Sequence, residues 1–388
     1  METSATSKKR LLALDVMRGI TIAGMILVNN PGGDNTFAPL EHAKWIGLTP
    51  TDLVFPFFMF MMGITTYLSL SKYHFEFTRK AGFKILKRTA LIWLIGLAIS
   101  WIFMFTASWM APEHAGMSFI ERFGVSCNTL DHLRILGVMP RLAICYGLSA
   151  IIALTMKHKY IPWLIAVLFI VYFIILVTGN GFACDHTNIL YRFDAAILGE
   201  KHLYKWEVID PEGILSTIPA LGHVLIGFCV GKIMMQVKDI NDKIERLFII
   251  GVLLTFSGLL LSYGCPLSKK IWTPTFALTT CGLASSLLAI LIWCIDKKGC
   301  VNGVTRFFES FGVNPLFLYV LADILILPMG MFHFFSGENQ TIQSVLYYNV
   351  FMPVVGGKFA SLIYALLFVS INWGIGHILY KKKIYIKL

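Results

Sequence analysis

The sequence predicts an all-α protein that crosses a membrane many times. Of its 388 residues 56% are hydrophobic and only 14% are charged, whereas a soluble globular chain has about 25% charged residues. The apolar residues gather in runs long enough for a helix to cross the hydrocarbon core. The lysines and arginines cluster between these runs, so the formal charge of +11 indicates membrane topology, and we expect no nucleic-acid partner.

Ten apolar runs are predicted to span the membrane, and an eleventh run is too short to do so unaided. This short run, 342–356, is expected to be interfacial or re-entrant, since a span must cross about 30 Å of hydrocarbon. No internal repeat is visible, and we expect a single integral membrane domain over residues 1–388. The ten predicted spans are 11–28, 51–70, 85–107, 134–156, 160–178, 214–235, 246–263, 274–295, 313–333 and 358–380.

The basic residues predict on which side the termini lie. Ten spans place both termini on one side. Of the 33 lysines and arginines, 22 lie in the termini and in the connections on the same side, and 8 lie in the other connections. Because positively charged loops stay in the cytoplasm, we expect both termini there and segment 29–50 on the outer side. Residues 1–9 are polar, and no cleavable signal is visible.

The eight cysteines include no CxxC pair, so the sequence predicts neither a zinc site nor a redox motif, and we expect no metal. Cys127, Cys184 and Cys265 fall in connections predicted to lie outside, where disulfides can form. A Cys127–Cys184 bridge is one of the pairings that the sequence leaves open.

The connection between the first two predicted spans carries the most promising chemistry. It mixes polar groups with Trp45, which indicates a folded piece and not a loose tether. The imidazole of His42 can accept a proton or be acylated, and the amide of Asn29 can donate to a developing oxyanion. These two are the candidate catalytic residues, although an ordinary loop histidine would give the same pattern. Nearby candidates for substrate binding are Asn30, Glu41, Trp45 and Asp52.

Two arginines stand inside the fourth predicted span. Arg134 and Arg141 are seven residues apart, so a helix would bring them to nearly the same face, about 10 Å apart in depth. They would then line a path for an anion such as a phosphate, pyrophosphate or carboxylate. The alternative is structural pairing with acidic residues such as Asp131, Asp52 or Asp323.

Polar groups elsewhere at membrane depth have both structural and functional interpretations. Asp210 and Glu212 precede the sixth span and are expected either to cap that helix or to bind substrate. Asn314, in the ninth span, is a further binding candidate. His223 is interpreted as a hydrogen-bonded core residue.

Asp15 and Arg18 stand three residues apart on one face of the first predicted span. We interpret them as a local ion pair that positions this helix.

Several stretches resemble one family of membrane enzymes. LDVMRGITIAGMILVNNPGG and EHAKWIGLTPTDLVFPFFMFMMG are followed in order by LRILGVMPRLAICY, DPEGILSTIPALGHVLIGFCVGKI and VNPLFLYV. Together they resemble the heparan-α-glucosaminide N-acetyltransferase family, part of a wider transmembrane acyltransferase superfamily with bacterial members. The resemblance runs from Leu11 to about Leu321 and is most specific around His42.

The resemblance implies a site and a reaction. His42 would be the acetyl acceptor or general base, and Asn29 would assist the reacting carbonyl. The donor would be cytoplasmic acetyl-CoA and the acceptor an amine of a glucosamine-like sugar across the membrane. We expect a short, bacterial-type member without the luminal N-terminal region and leading helix, in the bacterial inner membrane, surrounded by lipid, with a homodimer as an open option.

Two other functions remain open from the sequence. A secondary transporter or a flippase for a glycan intermediate would use the same intramembrane charges as a substrate path. An O-acetyltransferase of an envelope polysaccharide would share the chemistry and differ in the acceptor atom.

Overall fold

The protein is built from helices. The computed structural model describes residues 11–337 and 340–386, and within these ranges helices are the only regular secondary structure, which confirms the predicted all-α class. Some residues used in the topology prediction lie outside these ranges. They are Lys387 and the polar N-terminal residues 1–10, which include Lys8, Lys9 and Arg10. The helices are α1 (Leu12–Asn29), α2 (Thr51–Leu70), α3 (Arg79–Met110), α4 (Phe119–Cys127), α5 (Val138–Thr155), α6 (Ile161–Thr178), α7 (Ile189–Leu198), α8 (Thr217–Gln236), α9 (Ile240–Leu261), α10 (Pro274–Leu291), α11 (Gly303–Val313), α12 (Pro315–Ile326), α13 (Ile342–Val355) and α14 (Gly357–Lys381).

The predicted number of spans agrees with the structure. In the described part of the chain nine helices are long and apolar enough to cross a membrane, and the bent pair α11–α12 makes a tenth if it counts as one span. Each corresponds to one predicted apolar run. The short run 342–356 forms α13, which is shorter than these spans, and its interfacial or re-entrant placement stays a prediction.

The ninth predicted span is not one straight helix. α11 and α12 meet at an angle of 83°, and Asn314 between them has φ −125° and ψ 53°. Pro315 starts α12, and a residue before proline is disfavoured in the helical region. The predicted span 313–333 corresponds to the helical residues Pro315–Met331, and the structure adds α11 before them, where the sequence was interpreted as a connection.

The fourth span also begins later than predicted. α5 starts at Val138, and Arg134 lies in the extended segment before it. The prediction that Arg134 and Arg141 share one helix face is wrong, because carboxylates outside α5 hold Arg134 in that extended segment, as described below.

α2 and α8 cross at close range and set the frame around which the site is built. Gly63 of α2 faces the carbonyl of Val224, and Gly227 of α8 faces the carbonyl of Phe60. A Cβ atom at either glycine would collide with the backbone of the other helix. Small residues allow such close packing between membrane helices, where dispersion forces replace the hydrophobic effect. The start of α2 is thereby fixed relative to α8.

Segment 30–50 is folded, as predicted. The indole of Trp45 donates to the carbonyl of Phe182 at 2.9 Å, and the amide of Gly47 donates to the carbonyl of Leu267 at 2.8 Å. Gly47 has φ +123°, a conformation that other residues rarely adopt. These contacts join the segment to two other connections. All eight cysteines are free, so the Cys127–Cys184 bridge is not formed in this structure.

Candidate active site

A cavity of about 200 Å³ lies where α1 ends and α2 and α5 begin. The connections that precede α8 and α10, together with α12, complete its wall. The lining residues are Met25, Asn29, His42, Val54, Phe55, Arg134, Val138, Tyr204, Glu207, Pro211, Glu212, Lys269, Lys270 and Tyr319. The wall thus combines an apolar floor with a ring of charged and amide side chains.

His42 is held by a buried carboxylate. Its Nδ1 lies 2.7 Å from Oδ1 of Asp52, which is fully buried, while the imidazole is 39% exposed. The other oxygen of Asp52 accepts from the amides of Ala43 and Thr49 at 3.0 and 3.1 Å and from the Thr49 hydroxyl at 3.0 Å. A carboxylate only accepts hydrogen bonds, so we assign the proton of the neutral ring to Nδ1. Nε2 is left as a base.

The local sequence explains this arrangement. Asp52 lies in the first turn of α2, where the helix dipole favours a negative charge. The chain turns back before α2, since the amide of Asp52 donates to the carbonyl of Thr49 at 3.0 Å. The single hydroxyl proton of Thr49 is shared between Asp52 and the carbonyl oxygen of Glu41, which lies 2.7 Å from Oγ1. These contacts bring His42, ten residues before Asp52, onto its carboxylate.

Two consecutive lysines of the connection between α9 and α10 complete this side of the cavity. Lys269 Nζ lies 3.6 Å from Asp52 Oδ1 and 3.1 Å from His42 Nδ1. Burial lowers the pKa of Lys269, and the carboxylate of Asp52 opposes that change. Lys270 forms an ion pair with Glu207. Sequence reasoning counted both lysines as topology signals only; their presence on the side where basic residues are scarce was the signal that could have found them.

Arg134 forms the opposite wall and binds two carboxylates. Its Nε donates to Asp210 at 2.9 Å, and its Nη2 donates to Asp210 at 2.5 Å and to Glu212 at 2.6 Å. Burial alone would lower the pKa of Arg134, but the two carboxylates raise it above its usual value. The structural-pairing alternative is therefore realised, with partners other than Asp131, Asp52 or Asp323.

The capping prediction for Asp210 and Glu212 is wrong. α8 begins at Thr217, several residues further on, and its N-terminus has no side-chain cap. Asp210 accepts from the amides of Tyr204 and Glu212 at 3.1 and 2.9 Å and thereby shapes the loop that presents Glu212 to the cavity.

Comparison with known proteins identifies the family. A model described as heparan-alpha-glucosaminide N-acetyltransferase, catalytic, matches residues 10–263, about two thirds of the chain. The chain belongs to this family. The mouse heparan-alpha-glucosaminide N-acetyltransferase is 27% identical over 367 residues, covering 84% of this chain and 55% of the relative. The human protein of that name is 27% identical over 424 residues, covering 98% and 60%. The chain thus spans 55–60% of the length of these relatives.

In this member of the family, Asn29 and Asn30 have different positions. Asn29 ends α1 and lines the cavity together with His42. Asn30 is buried and donates to the carbonyl of Ile26 at 2.7 Å, so its side chain closes the last turn of α1. The two adjacent amides therefore have distinct surroundings.

Four other candidates lie away from the cavity of this family member. Glu41 is exposed and accepts from Thr36 Oγ1 at 2.6 Å. Trp45 anchors the loop, as described above. Arg141 is fully buried beneath the loop before α8, where it donates to the carbonyl of Gly213 at 3.0 Å and to Ser216. The amide of Asn314 binds the carbonyl of Ile384 at 2.9 Å.

Two structural interpretations are confirmed. Arg18 donates to Asp15 within α1. His223 is fully buried, and its Nε2 lies 2.9 Å from the carbonyl of Pro56.

Among residues 11–337 and 340–386, no group of three or more histidine, cysteine, aspartate or glutamate side chains could hold a metal ion.

Proposed function

We propose that this protein is a transmembrane acetyltransferase that moves an acetyl group from cytoplasmic acetyl-CoA to an amine of a glucosamine-like sugar on the outer side. The observation that carries the proposal is His42, whose Nδ1 is bound by buried Asp52 and whose ring lines the cavity. A carboxylate-oriented imidazole is an effective general base near neutral pH. Membership in an acetyltransferase family supports the reaction class.

The proposed reaction uses His42 as the base. Nε2 accepts a proton from the acceptor amine as its nitrogen attacks the carbonyl carbon of the thioester. The amide of Asn29 donates to the oxyanion that forms. The carbon–sulfur bond then breaks, the sulfur of CoA leaves with the proton returned by His42, and the acceptor keeps the acetyl group as an amide.

A covalent route through acetyl-His42 uses the same residues. Nε2 would attack the thioester directly, releasing CoA, and the amine would take the acetyl group in a second step. Incubation with acetyl-CoA but no acceptor, followed by rapid quench and mass spectrometry of the His42 peptide, distinguishes the routes. An acetylated peptide supports the covalent route, and its absence supports direct transfer.

The cavity accommodates the reacting groups and not the whole donor. Its volume of about 200 Å³ is below the roughly 300–1,000 Å³ of typical small-molecule sites. The nucleotide end of acetyl-CoA therefore lies outside this cavity when the acetyl group is beside His42. Of the binding candidates, Arg134 and Glu212 are positioned to contact a substrate, and Asp52 and Asp210 to hold His42 and Arg134 in place.

Purified protein incubated with radiolabelled acetyl-CoA and glucosamine tests the activity. We expect acceptor-dependent release of CoA, which His42→Ala abolishes while acetyl-CoA binding is kept. His186→Ala is the matched control, because His186 is exposed and packs on Tyr191 away from the cavity. Full activity of His42→Ala would contradict the mechanism, and movement of a glycan without consumption of acetyl-CoA would favour the transporter.

The acceptor atom is tested with N-acetylglucosamine, in which the amine is blocked. N-acetylation predicts no product from this sugar, whereas an O-acetyltransferase would modify it as readily as glucosamine.

The bacterial inner membrane is our proposed location, with lipid around the bundle and two copies as the proposed assembly. Fractionation of expressing cells checks the first proposal. Chemical cross-linking in native membranes checks the second.

A further inference from the structure

Lys269 places a positive charge against the ring of His42. Its Nζ lies 3.1 Å from Nδ1 and 3.4 Å from Nε2 of the imidazole. The lysine side chain is only 14% exposed and the carboxylate of Asp52 is fully buried. Water and salt therefore screen the charges of these two side chains only weakly. An anion, a cation and a titratable ring therefore share one corner of the cavity.

Asp52 alone would give His42 two conflicting properties. A buried carboxylate orients the imidazole, but its negative charge also favours the protonated ring. A protonated imidazole cannot act as a base. A cation beside both groups removes the conflict, because it balances the carboxylate and disfavours a second positive charge nearby.

We propose that Lys269 is a positioning residue that holds His42 in its neutral form, so that Asp52 orients the ring while Nε2 carries no proton and can accept one. This inference deepens the proposed function and rests on it, since an unprotonated Nε2 matters only if His42 is the base. Burial lowers the pKa of Lys269, whereas Asp52 and Glu212 raise it; the contact with Asp52 favours the charged amine.

Other titratable groups also surround the cavity, and the charged ones among them are paired with each other. They come from the segment before α5, the connection before α8, the connection before α10, and α12: Arg134, Tyr204, Glu207, Asp210, Glu212, Lys270 and Tyr319. Arg134 is balanced by two carboxylates, and Lys270 is balanced by Glu207. Lys269 and Asp52 are thus the charges in direct contact with the imidazole.

Carbethoxylation of His42 tests the proposal without requiring transfer activity. Diethyl pyrocarbonate reacts with neutral imidazole, so the labelling rate of the His42 peptide, measured by mass spectrometry over a pH series, reports the neutral fraction. The full-length protein is used in detergent, with His186 as an internal reference. We expect Lys269→Met to move the midpoint for His42 upward by at least about one pH unit. Labelling below the wild-type midpoint then falls about tenfold.

Two matched variants separate charge from structure. Lys269→Arg keeps the cation and should keep the wild-type midpoint. Lys270→Met removes the neighbouring amine, which pairs with Glu207, and should also leave the midpoint in place. If Lys269→Met does not fold, Lys269→Cys is compared before and after alkylation with 2-bromoethylamine, which restores an amine on the same folded protein.

An unchanged or lower midpoint in Lys269→Met, or in unalkylated Lys269→Cys, overturns the proposal. That result would leave the proposed function standing, because the activity of His42→Ala tests the base independently. Conversely, acetyl transfer by His42→Ala would refute the role of His42 as the base. The labelling midpoints of His42 in the wild type and in the Lys269 variants would still stand.

Discussion

Asp52 has each carboxylate oxygen engaged, one by His42 and the other by Ala43 and Thr49. Asp52→Asn cannot reproduce this set: an amide NH2 turned toward His42 forces Nδ1 to accept and moves the ring proton to Nε2, and an NH2 turned the other way meets the amide donors of Ala43 and Thr49. We expect kcat to fall on the order of 10²–10⁴-fold, as when a carboxylate that orients a catalytic histidine is neutralised, with acetyl-CoA binding unchanged. Initial rates of CoA release measure the effect.

Glu41→Gln is the control for this prediction. Glu41 is adjacent to His42 in sequence but is exposed and bound to Thr36. The Glu41→Gln variant should keep kcat within a few-fold of the wild-type value. Equal kcat values for the Asp52 variant and the wild type would show that the carboxylate does not orient the base.

The neighbouring amides Asn29 and Asn30 allow a second comparison at the residue scale. Asn29→Ala should lower kcat on the order of 10²–10³-fold if this amide donates to the oxyanion. Asn30→Ala removes the bond to Ile26 at the end of α1 and should cost about 1 kcal/mol of stability with little change in kcat. Steady-state kinetics and thermal unfolding of both variants measure this contrast, and a reversed pattern would move the oxyanion donor away from Asn29.

At the scale of helices, the same glycine-to-alanine change should act in opposite directions at two positions. Gly227→Ala places a Cβ against the carbonyl of Phe60 in α2, whereas Gly374 of α14 has no neighbour within 4 Å of a Cβ. The first change should lower Tm through overpacking, which typically costs about 1–3 kcal/mol. The second should raise Tm slightly, because alanine favours helix by roughly 0.5–1 kcal/mol. Differential scanning fluorimetry in detergent measures both, and equal shifts would contradict a close α2–α8 crossing.

α7 contributes a buried carboxyl group that binds the loop before α8. Asp194 accepts from the amide of Ile214 at 2.9 Å, and burial raises its pKa from 3.8 to about 7. The folded protein therefore binds this proton more tightly than the unfolded chain does. The contribution of Asp194 to stability is full below about pH 4 and decreases as the pH rises toward 7.

Asp194→Asn should remove that pH dependence, because an amide does not ionise and can still accept from Ile214. Tm measured between pH 4 and 8 should decline less in this variant than in the wild type. Asp185→Asn, on an exposed turn nearby, should keep the wild-type slope. Identical slopes for the Asp194 variant and the wild type would show that Asp194 does not carry the proton.

At the scale of the whole molecule, two native cysteines test the orientation in the membrane. Cys184 precedes α7 and Cys300 follows α10, and both are exposed. The distribution of basic residues predicts that they lie on opposite sides, with Cys184 outside. A membrane-impermeant maleimide should label Cys184 in intact cells and Cys300 only after permeabilisation. The reverse pattern would place the cavity on the cytoplasmic side and remove the need for transfer across the membrane.

Much of the fold was predictable, because a membrane span is specified by the length of its apolar run. Two features were not predicted. At Arg134 an ion pair with distant carboxylates holds the chain extended and delays the start of α5, and at Asn314 the following proline separates α12 from α11. The cavity was less predictable. One short stretch with a family pattern contains Asn29, His42 and Asp52. Lys269 lies far from this stretch in sequence, 227 residues after His42. The residues around Lys269 in the sequence do not distinguish a lysine that contacts Asp52 and His42 from a lysine that only indicates membrane topology.

The distance in sequence between His42 and Lys269 also determines when the site can exist during synthesis. Lys269 follows His42 by 227 residues, and Tyr319 of the cavity wall follows later still. Both lie beyond residue 263, where the match to the family's catalytic region ends. A nascent chain that has inserted its first seven spans therefore carries His42 and Asp52 without the ammonium that balances them. The site is completed only when the eighth and ninth spans have entered the membrane, so a chain arrested before that point lacks the assembled ion group.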